Sequence, residues 1–327
     1  MNDEHLWIAG GYADEGAVGL YLLRSAHDRL RVERVVAPAR NVSAGVRRGN
    51  YWYLVDEVAG TVVVLDAATG WRQVACFASG GDAPCHLALD APATLLAVAN
   101  YGDGTIALFA IDDHGLPSGA PDCYRHDGHG PVADRQAGPH AHWVGFGPAG
   151  DLYVTDLGSD CILTFAPEAG QLGTPRIAYR APAGSGPRQI AFHPELPVLY
   201  LVSELASTLT VLDRQADGML VARQTVSTVP AGTDNLAGAI LRDGDRLYVT
   251  NRGHDSVARF AIAADGSVRL LNHRPSGGMS PRFVAVDGDR LLIAHEKAGG
   301  VTLLPIDDDR ILARADVPGA AFLGAYA

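Results

Sequence analysis

Short apolar runs rich in valine, leucine and tyrosine recur along the whole chain, each closed by proline, glycine or aspartate. The pattern is clearest in Gly186-Pro187-Arg188-Gln189-Ile190-Ala191-Phe192, then Leu199-Tyr200-Leu201-Val202-Ser203-Glu204, then Thr208-Leu209-Thr210-Val211-Leu212. Runs of β-branched and aromatic residues bounded by turn formers predict three consecutive strands, and helix is the poorer reading. His193-Pro194-Glu195-Leu196-Pro197 lies midway between Arg188 and Glu204, so a hairpin turning there returns both side chains to one edge of a sheet.

Aligning the chain on the residue that closes each tyrosine- or leucine-rich second strand gives Gly10, Asp56, Asn100, Asp156, Glu204, Asn251 and His295, at intervals of 44 to 56 residues. Four-stranded propeller blades repeat every 40–50 residues or so, and a β-solenoid has a much shorter period. The fold class is therefore all-β: seven four-stranded antiparallel blades in a single domain over residues 1–327. Five units also share a start to their first strand, at Ala83-Pro84-Cys85-His86, Pro139-His140-Ala141-His142, Gly186-Pro187-Arg188, Asp234-Asn235-Leu236 and Ser280-Pro281-Arg282. The first unit lacks an inner strand and the run 320–325 lacks a partner, so N- and C-terminal strands are expected to close the ring in one blade, removing its open edges.

In that geometry first-strand starts and second-strand ends ring one mouth of the channel. Cys85, His140, Arg188 and Arg282 would meet Asn100, Asp156, Glu204, Asn251, Arg252 and His295 there, while His193 would be a solvent-facing turn residue without a role. The longest interval contains an insertion, Pro121 to Gly138, with His126, His129, Arg135 and Gln136, expected to hang over the mouth.

Charge and composition narrow the partners. Against 26 Lys and Arg stand 37 Asp and Glu, a net charge of −11 without a basic stripe, which argues against nucleic acid. No run approaches membrane-spanning length and the acidic start does not read as a signal peptide, so a cytoplasmic location is expected. The four cysteines, Cys76, Cys85, Cys123 and Cys161, lack metal or redox spacing and read as buried free thiols.

The strings Arg135-Gln136-Ala137-Gly138-Pro139-His140-Ala141-His142, Gly186-Pro187-Arg188, Val202-Ser203-Glu204-Leu205, Asn100-Tyr101-Gly102 and Asn251-Arg252-Gly253-His254-Asp255-Ser256 resemble the seven-bladed β-propeller lactonase family, over nearly the whole chain. Its best-known members are 6-phosphogluconolactonases, with sugar-diacid lactonases and a carboxymuconate-cyclising enzyme as relatives. The resemblance implies hydrolysis of a small anionic sugar-acid lactone, with an aldarolactone hydrolase, a cycloisomerase or a non-catalytic scaffold as alternatives. It implies no obligatory cofactor or metal, and places the active-site His, two Arg and Glu at His140, Arg188, Glu204 and Arg252. Two departures stand out: Gly238 occupies a position where many relatives carry an acid, and Gly10-Gly11-Tyr12 replaces the usual Gly-Thr-Tyr.

A ring ester needs little machinery to hydrolyse. Glu204 would deprotonate water, Arg188 and Arg252 would hold the oxyanion and the substrate anion, and His140 would protonate the leaving alkoxide; the reverse, His140 as base with Glu204 orienting it, fits the residues almost as well. Arg135, Gln136, His142, Asn100, Arg282 and His295 complete the expected substrate contacts. His126, His129, His140 and His142 lack the accompanying ligands of a zinc or calcium site, so no metal is expected.

Overall fold

The computed structural model describes residues 4–36 and 39–326. Among them, 28 strands form seven four-stranded antiparallel sheets, the blades of a β-propeller, as the repeat predicts. Blade 1 comprises residues 4–36 with 320–325; blades 2 to 7 comprise 45–78, 84–125, 141–180, 187–227, 236–275 and 279–315. Second strands such as Leu152–Asp156 and Val198–Ser203 are buried throughout, and outer strands such as Leu220–Ser227 are exposed at most positions. A strand covered on both faces reads as a continuous apolar run, which is why the second strands carried the sequence signal.

The chain divides into two compact units. One takes Met1–Ser43, Ser207–Val211 and Gln224–Ala327; the other takes Ala44–Ala206 and Leu212–Arg223. In the first, Trp7, Leu23, Leu292, Leu303 and Leu323 share a buried cluster. In the second, Ile106, Val144, Val154 and Phe165 join blades 3 and 4, and Trp143, Tyr153, Ile190 and Leu201 join blades 4 and 5.

Blade 1 contains the first and the last described strands. Ala320–Ala325 pairs with Glu4–Gly11 in the register Trp7↔Ala325, Ile8↔Gly324, Ala9↔Leu323. The expected closure is present, and the inner edge of Glu4–Gly11 is paired.

Inner strands enter their blades by a shared device. Ala83, Gly186 and Ser280 have φ of 49°, 66° and 57°. Each precedes a proline, Pro84, Pro187 or Pro281, paired with Asn100, Ser203 or His295, and the next residue, Cys85, Arg188 or Arg282, bulges out of register. Blade 4 follows suit, with Ala141 opposite Asp156 and His142 as the extra residue. A bulge of this kind kinks the strand and re-aims one side chain. The carbonyl before the strand then accepts the N–H just past the second strand: Ala83 from Tyr101 at 2.9 Å, His140 from Leu157 at 2.9 Å, Gly186 from Glu204 at 2.7 Å.

This register corrects the sequence alignment by one residue. Asn100, Asp156 and His295 match Ser203, and the true counterparts of Glu204 are Tyr101, Leu157 and, in the first unit, Glu296.

Three further expectations change. Within the supposed insertion, Asp122–Arg125 is the outer strand of blade 3, which leaves 126–140 as the loop. His193 has a role, since its Nδ1 accepts the N–H groups of Glu195 at 3.1 Å and Leu196 at 2.9 Å and so shapes its hairpin. All four cysteines are free, but Cys76 and Cys123 are exposed. No described helix is long and apolar enough to cross a membrane.

Leu323 lies on the closing strand and is 3% exposed. Leu323→Ala is expected to cost about 2–5 kcal/mol, the range for emptying a buried leucine site. Urea unfolding of the two proteins checks this, and a change below about 0.5 kcal/mol would mean that the closing strand carries little of the core.

Candidate active site

In the second unit three blades and one loop bring charged groups together on Glu204. Its side chain is 2% exposed; Arg188 Nε donates to Oε2 at 2.9 Å, and Arg135 Nη2, from the loop, donates to Oε1 at 2.6 Å. His142 Nε2 lies 3.7 Å from Oε2. The strand entry explains the meeting, because the bulge turns Arg188 towards the residue that the Gly186 carbonyl holds in place. Burial disfavours charge on Arg135, but Glu204 and a bond to Tyr101 outweigh it and raise the guanidinium pKa above its usual value. Arg135 also reaches the Tyr101 hydroxyl at 3.3 Å.

His140 is fixed from three sides. Its N–H donates to Asp156 Oδ1 at 2.9 Å, its carbonyl accepts from Leu157 at 2.9 Å, and its Nδ1 lies 2.6 Å from the Tyr101 carbonyl. A carbonyl only accepts, so Nδ1 carries the proton and Nε2 of the neutral ring carries the lone pair. The imidazole stacks on the Tyr101 ring, centroids 4.4 Å apart at 15°, and His142 meets the same ring edge-on at 5.5 Å. His140 and His142 therefore share one neighbour.

His86 shows the opposite tautomer. Val144 N–H donates to its Nδ1 at 3.4 Å, so the neutral ring carries its proton on Nε2. Burial, with Arg188 nearby, lowers its pKa to about 3.

Three expected substrate contacts are spent on the fold instead. Asn100 is fully buried, its Nδ2 donating to the Thr105 carbonyl at 3.0 Å and its Oδ1 taking the Ser79 hydroxyl at 2.6 Å. Gln136, also fully buried, donates to the Leu157 carbonyl at 2.8 Å and accepts from Val132 N–H at 3.2 Å, which pins the loop that delivers Arg135. His295 is fully buried against the Gly300 carbonyl at 3.1 Å, and burial lowers its pKa to about 4. All three are corrections with one cause: residues closing a second strand turn inward to satisfy backbone groups that a blade corner would otherwise leave unpaired, and Gln136 does so for the loop.

The first unit brings Arg252 and Arg282 together about Glu296. Arg282 Nη1 donates to Glu296 Oε2 at 3.1 Å and its guanidinium lies 5.0 Å from the centroid of the Tyr12 ring. Burial raises the Glu296 pKa, but Arg282 and then Arg252 lower it further, leaving it below the usual carboxylate value. Arg252 Nη2 also donates to the Ala237 carbonyl at 3.2 Å. Gly238 is required by packing, since a Cβ there would stand 2.2 Å from Thr250 Oγ1.

A family model described as lactonase, 7-bladed beta-propeller, matches residues 7–313. This chain belongs to the seven-bladed β-propeller lactonase family. A 6-phosphogluconolactonase of Bacillus subtilis is 29% identical over 302 residues, 85% of this chain and 84% of that protein. An uncharacterised protein of Lactococcus lactis subsp. cremoris is 32% identical over 272 residues, 80% and 79% of the two chains. Among solved structures, the periplasmic gluconolactonase PpgL of Pseudomonas aeruginosa superimposes with a TM-score of 0.90 over 99% of each chain, at 24% identity.

Sequence reasoning in this lactonase-family chain missed Tyr101, His86 and Glu296. A corrected alignment finds two of them, since Tyr101 and Glu296 occupy the Glu204 position of their blades. His86 had no signal, because its role comes from Val144 on another blade. A cavity of about 620 Å³ lined by Tyr153, Arg176, Arg214 and Asp217 lies by the turns at the far end of the strands, and its lining contains neither histidine nor glutamate. Among the described residues no three His, Cys, Asp or Glu side chains are placed to hold a metal ion. Burial pushes the Cys161 thiol up to about 12, so it stays protonated at neutral pH.

Two histidines, His86 and His295, give a pH signature. Their folded pKa values, about 3 for His86 and about 4 for His295, lie below the roughly 6.5 of an unfolded histidine, so the unfolded chain binds more protons between those limits. Stability is fully present above about pH 6.5 and is lost as pH falls, each histidine contributing up to about 1.4 kcal/mol per unit. The urea midpoint is expected to drop between pH 7 and pH 4.5, and to drop less in His86→Gln. An equal drop in both proteins would show that His86 is not held neutral.

Proposed function

We propose that this chain hydrolyses a sugar-acid lactone, 6-phosphogluconolactone or a close relative, with His140 as general base. The observation that carries the choice of base is the bond between His140 Nδ1 and the Tyr101 carbonyl, which leaves the lone pair on Nε2 of a ring stacked on the tyrosine whose hydroxyl bonds Arg135. The lactonase family, and a 6-phosphogluconolactonase relative at 29% identity, support the reaction class.

Glu204 is a poor base in this arrangement. A carboxylate accepting hydrogen bonds from two guanidiniums is held ionised and gives up basicity. Its task is to orient Arg188 and Arg135. Arg135, with 29% of its side chain exposed against 8% for Arg188, is the better placed to grip a ligand's phosphate or carboxylate.

His140 Nε2 removes a proton from water as the oxygen adds to the lactone carbonyl carbon. The carbonyl π-pair moves to oxygen, and guanidinium N–H groups stabilise that oxyanion. Collapse re-forms the carbonyl and breaks the bond to the ring oxygen, which takes the proton back from the imidazolium. The product is the open-chain acid, and no atom changes oxidation state.

Assays with 6-phosphogluconolactone, an aldarolactone and a carboxymuconate, each corrected for spontaneous reaction, test the substrate class. His140→Asn keeps a donor for the Tyr101 carbonyl but lacks Nε2, and is expected to lower kcat by about two to four orders of magnitude at unchanged melting temperature. Glu204→Gln should instead raise KM and lower the melting temperature, since removing one partner of a buried pair costs about 3–5 kcal/mol. An enzyme with His140→Asn and wild-type kcat would remove His140 from the chemistry.

A further inference from the structure

With His140 taken as the base, as proposed above, we propose that Tyr101 is the positioning residue of this site, its backbone setting the His140 tautomer, its ring backing the imidazolium, and its hydroxyl holding Arg135. Tyr101 occupies in blade 3 the position that Glu204 occupies in blade 5, so the same strand entry that aims the carboxylate aims the phenol. Its N–H is anchored on the Ala83 carbonyl at 2.9 Å, which leaves the side chain little freedom at its root.

The contacts divide by chemistry. The carbonyl bond to Nδ1 is strongest when the ring is cationic, because Nδ1–H is then a charge-assisted donor. A near-parallel tyrosine face favours a cation over it, so the stack stabilises the imidazolium formed when Nε2 takes the water proton. The hydroxyl, 3.3 Å from Arg135 Nη2, fixes the guanidinium that also bonds Glu204. One residue thereby ties the base to the anion-binding arginine and fixes their separation.

The charged and titratable neighbours come from every element packed around this point: Tyr101 on blade 3, Arg135 on the loop, His142 and Asp156 on blade 4, and Arg188 and Glu204 on blade 5. Asp156 meets His140 through the backbone N–H, and Glu204 is already bonded to two arginines. The Tyr101 ring is the described ring partner of His140, so its removal acts on the imidazole more directly than a change in those carboxylates.

Two substitutions separate the parts. Tyr101→Leu installs the residue that the fold itself carries at this position in blade 4, Leu157, so the backbone carbonyl and the blade are retained while the ring and hydroxyl are lost. Tyr101→Phe removes the hydroxyl alone. Tyr101→Phe is expected to raise KM several-fold with the acid limb of the kcat/KM profile unmoved. Tyr101→Leu is expected to shift that limb to lower pH by about half a unit, the scale of an exposed cation–π contact, and to lower kcat roughly tenfold to a hundredfold through loss of orientation. A 15N NMR titration of the His140 ring reads that shift in Tyr101→Leu, and its absence in Tyr101→Phe, without turnover, and thermal melting confirms that each is folded.

Tyr101→Leu with wild-type kcat and an unmoved limb overturns the proposal, as does Tyr101→Phe with wild-type KM for the hydroxyl's part. If Tyr101→Leu fails to fold, Tyr101→Met, which also removes the ring and keeps the backbone carbonyl, takes its place with the same expected shift. Failure of the base assignment looks different: His140→Asn would then turn over normally, whatever Tyr101 does.

Discussion

The bulged entry of the inner strand is the constraint on which the rest depends. A residue in the left-handed region, a partnered strand-opening residue and one extra residue out of register set where blades 3, 5 and 7 begin. In a strand a slip of one residue exchanges the two faces, so this entry decides which side chain is buried and which is presented. Proline suits the opening position because it has no N–H to place in a ladder. In blade 4 Ala141 opens the strand, and the residue before it, His140, is free to be a functional group.

From that constraint follows the electrostatic arrangement. A carboxylate as buried as Glu204 requires paired donors, and Arg188 on the facing strand and Arg135 on the loop supply them. Burial of Gln136 in turn fixes the loop that carries Arg135. The result is a set of guanidiniums whose orientation is settled before any ligand arrives, which is the condition under which such groups stabilise developing negative charge best. Blade 7 repeats the device in the first unit, with Arg282 and Glu296 in the places of Arg188 and Glu204.

Much of this was legible in the amino acids. The blade count, the hairpin turns and the closing strand came from runs of apolar residues broken by Pro, Gly and Asp, and the pairing of Arg188 with Glu204 came from a turn midway between them. Asn100 and His295 were misjudged because polar residues at strand ends look alike whether they face a ligand or a backbone carbonyl. Tyr101 was passed over because a one-residue bulge leaves no mark on hydrophobic periodicity, so its equivalence to Glu204 was hidden.

The sequence by itself determined the repeat, the hairpins and the closing strand, because these follow from side-chain alternation, turn chemistry and the need to leave no strand edge open. Only the tertiary structure decided the tautomer of His140, the neutral state of His86 and the capture of Arg135 by Glu204. Each depends on an atom supplied from another blade or from a loop, at a distance of a few ångströms that no spacing along the chain encodes.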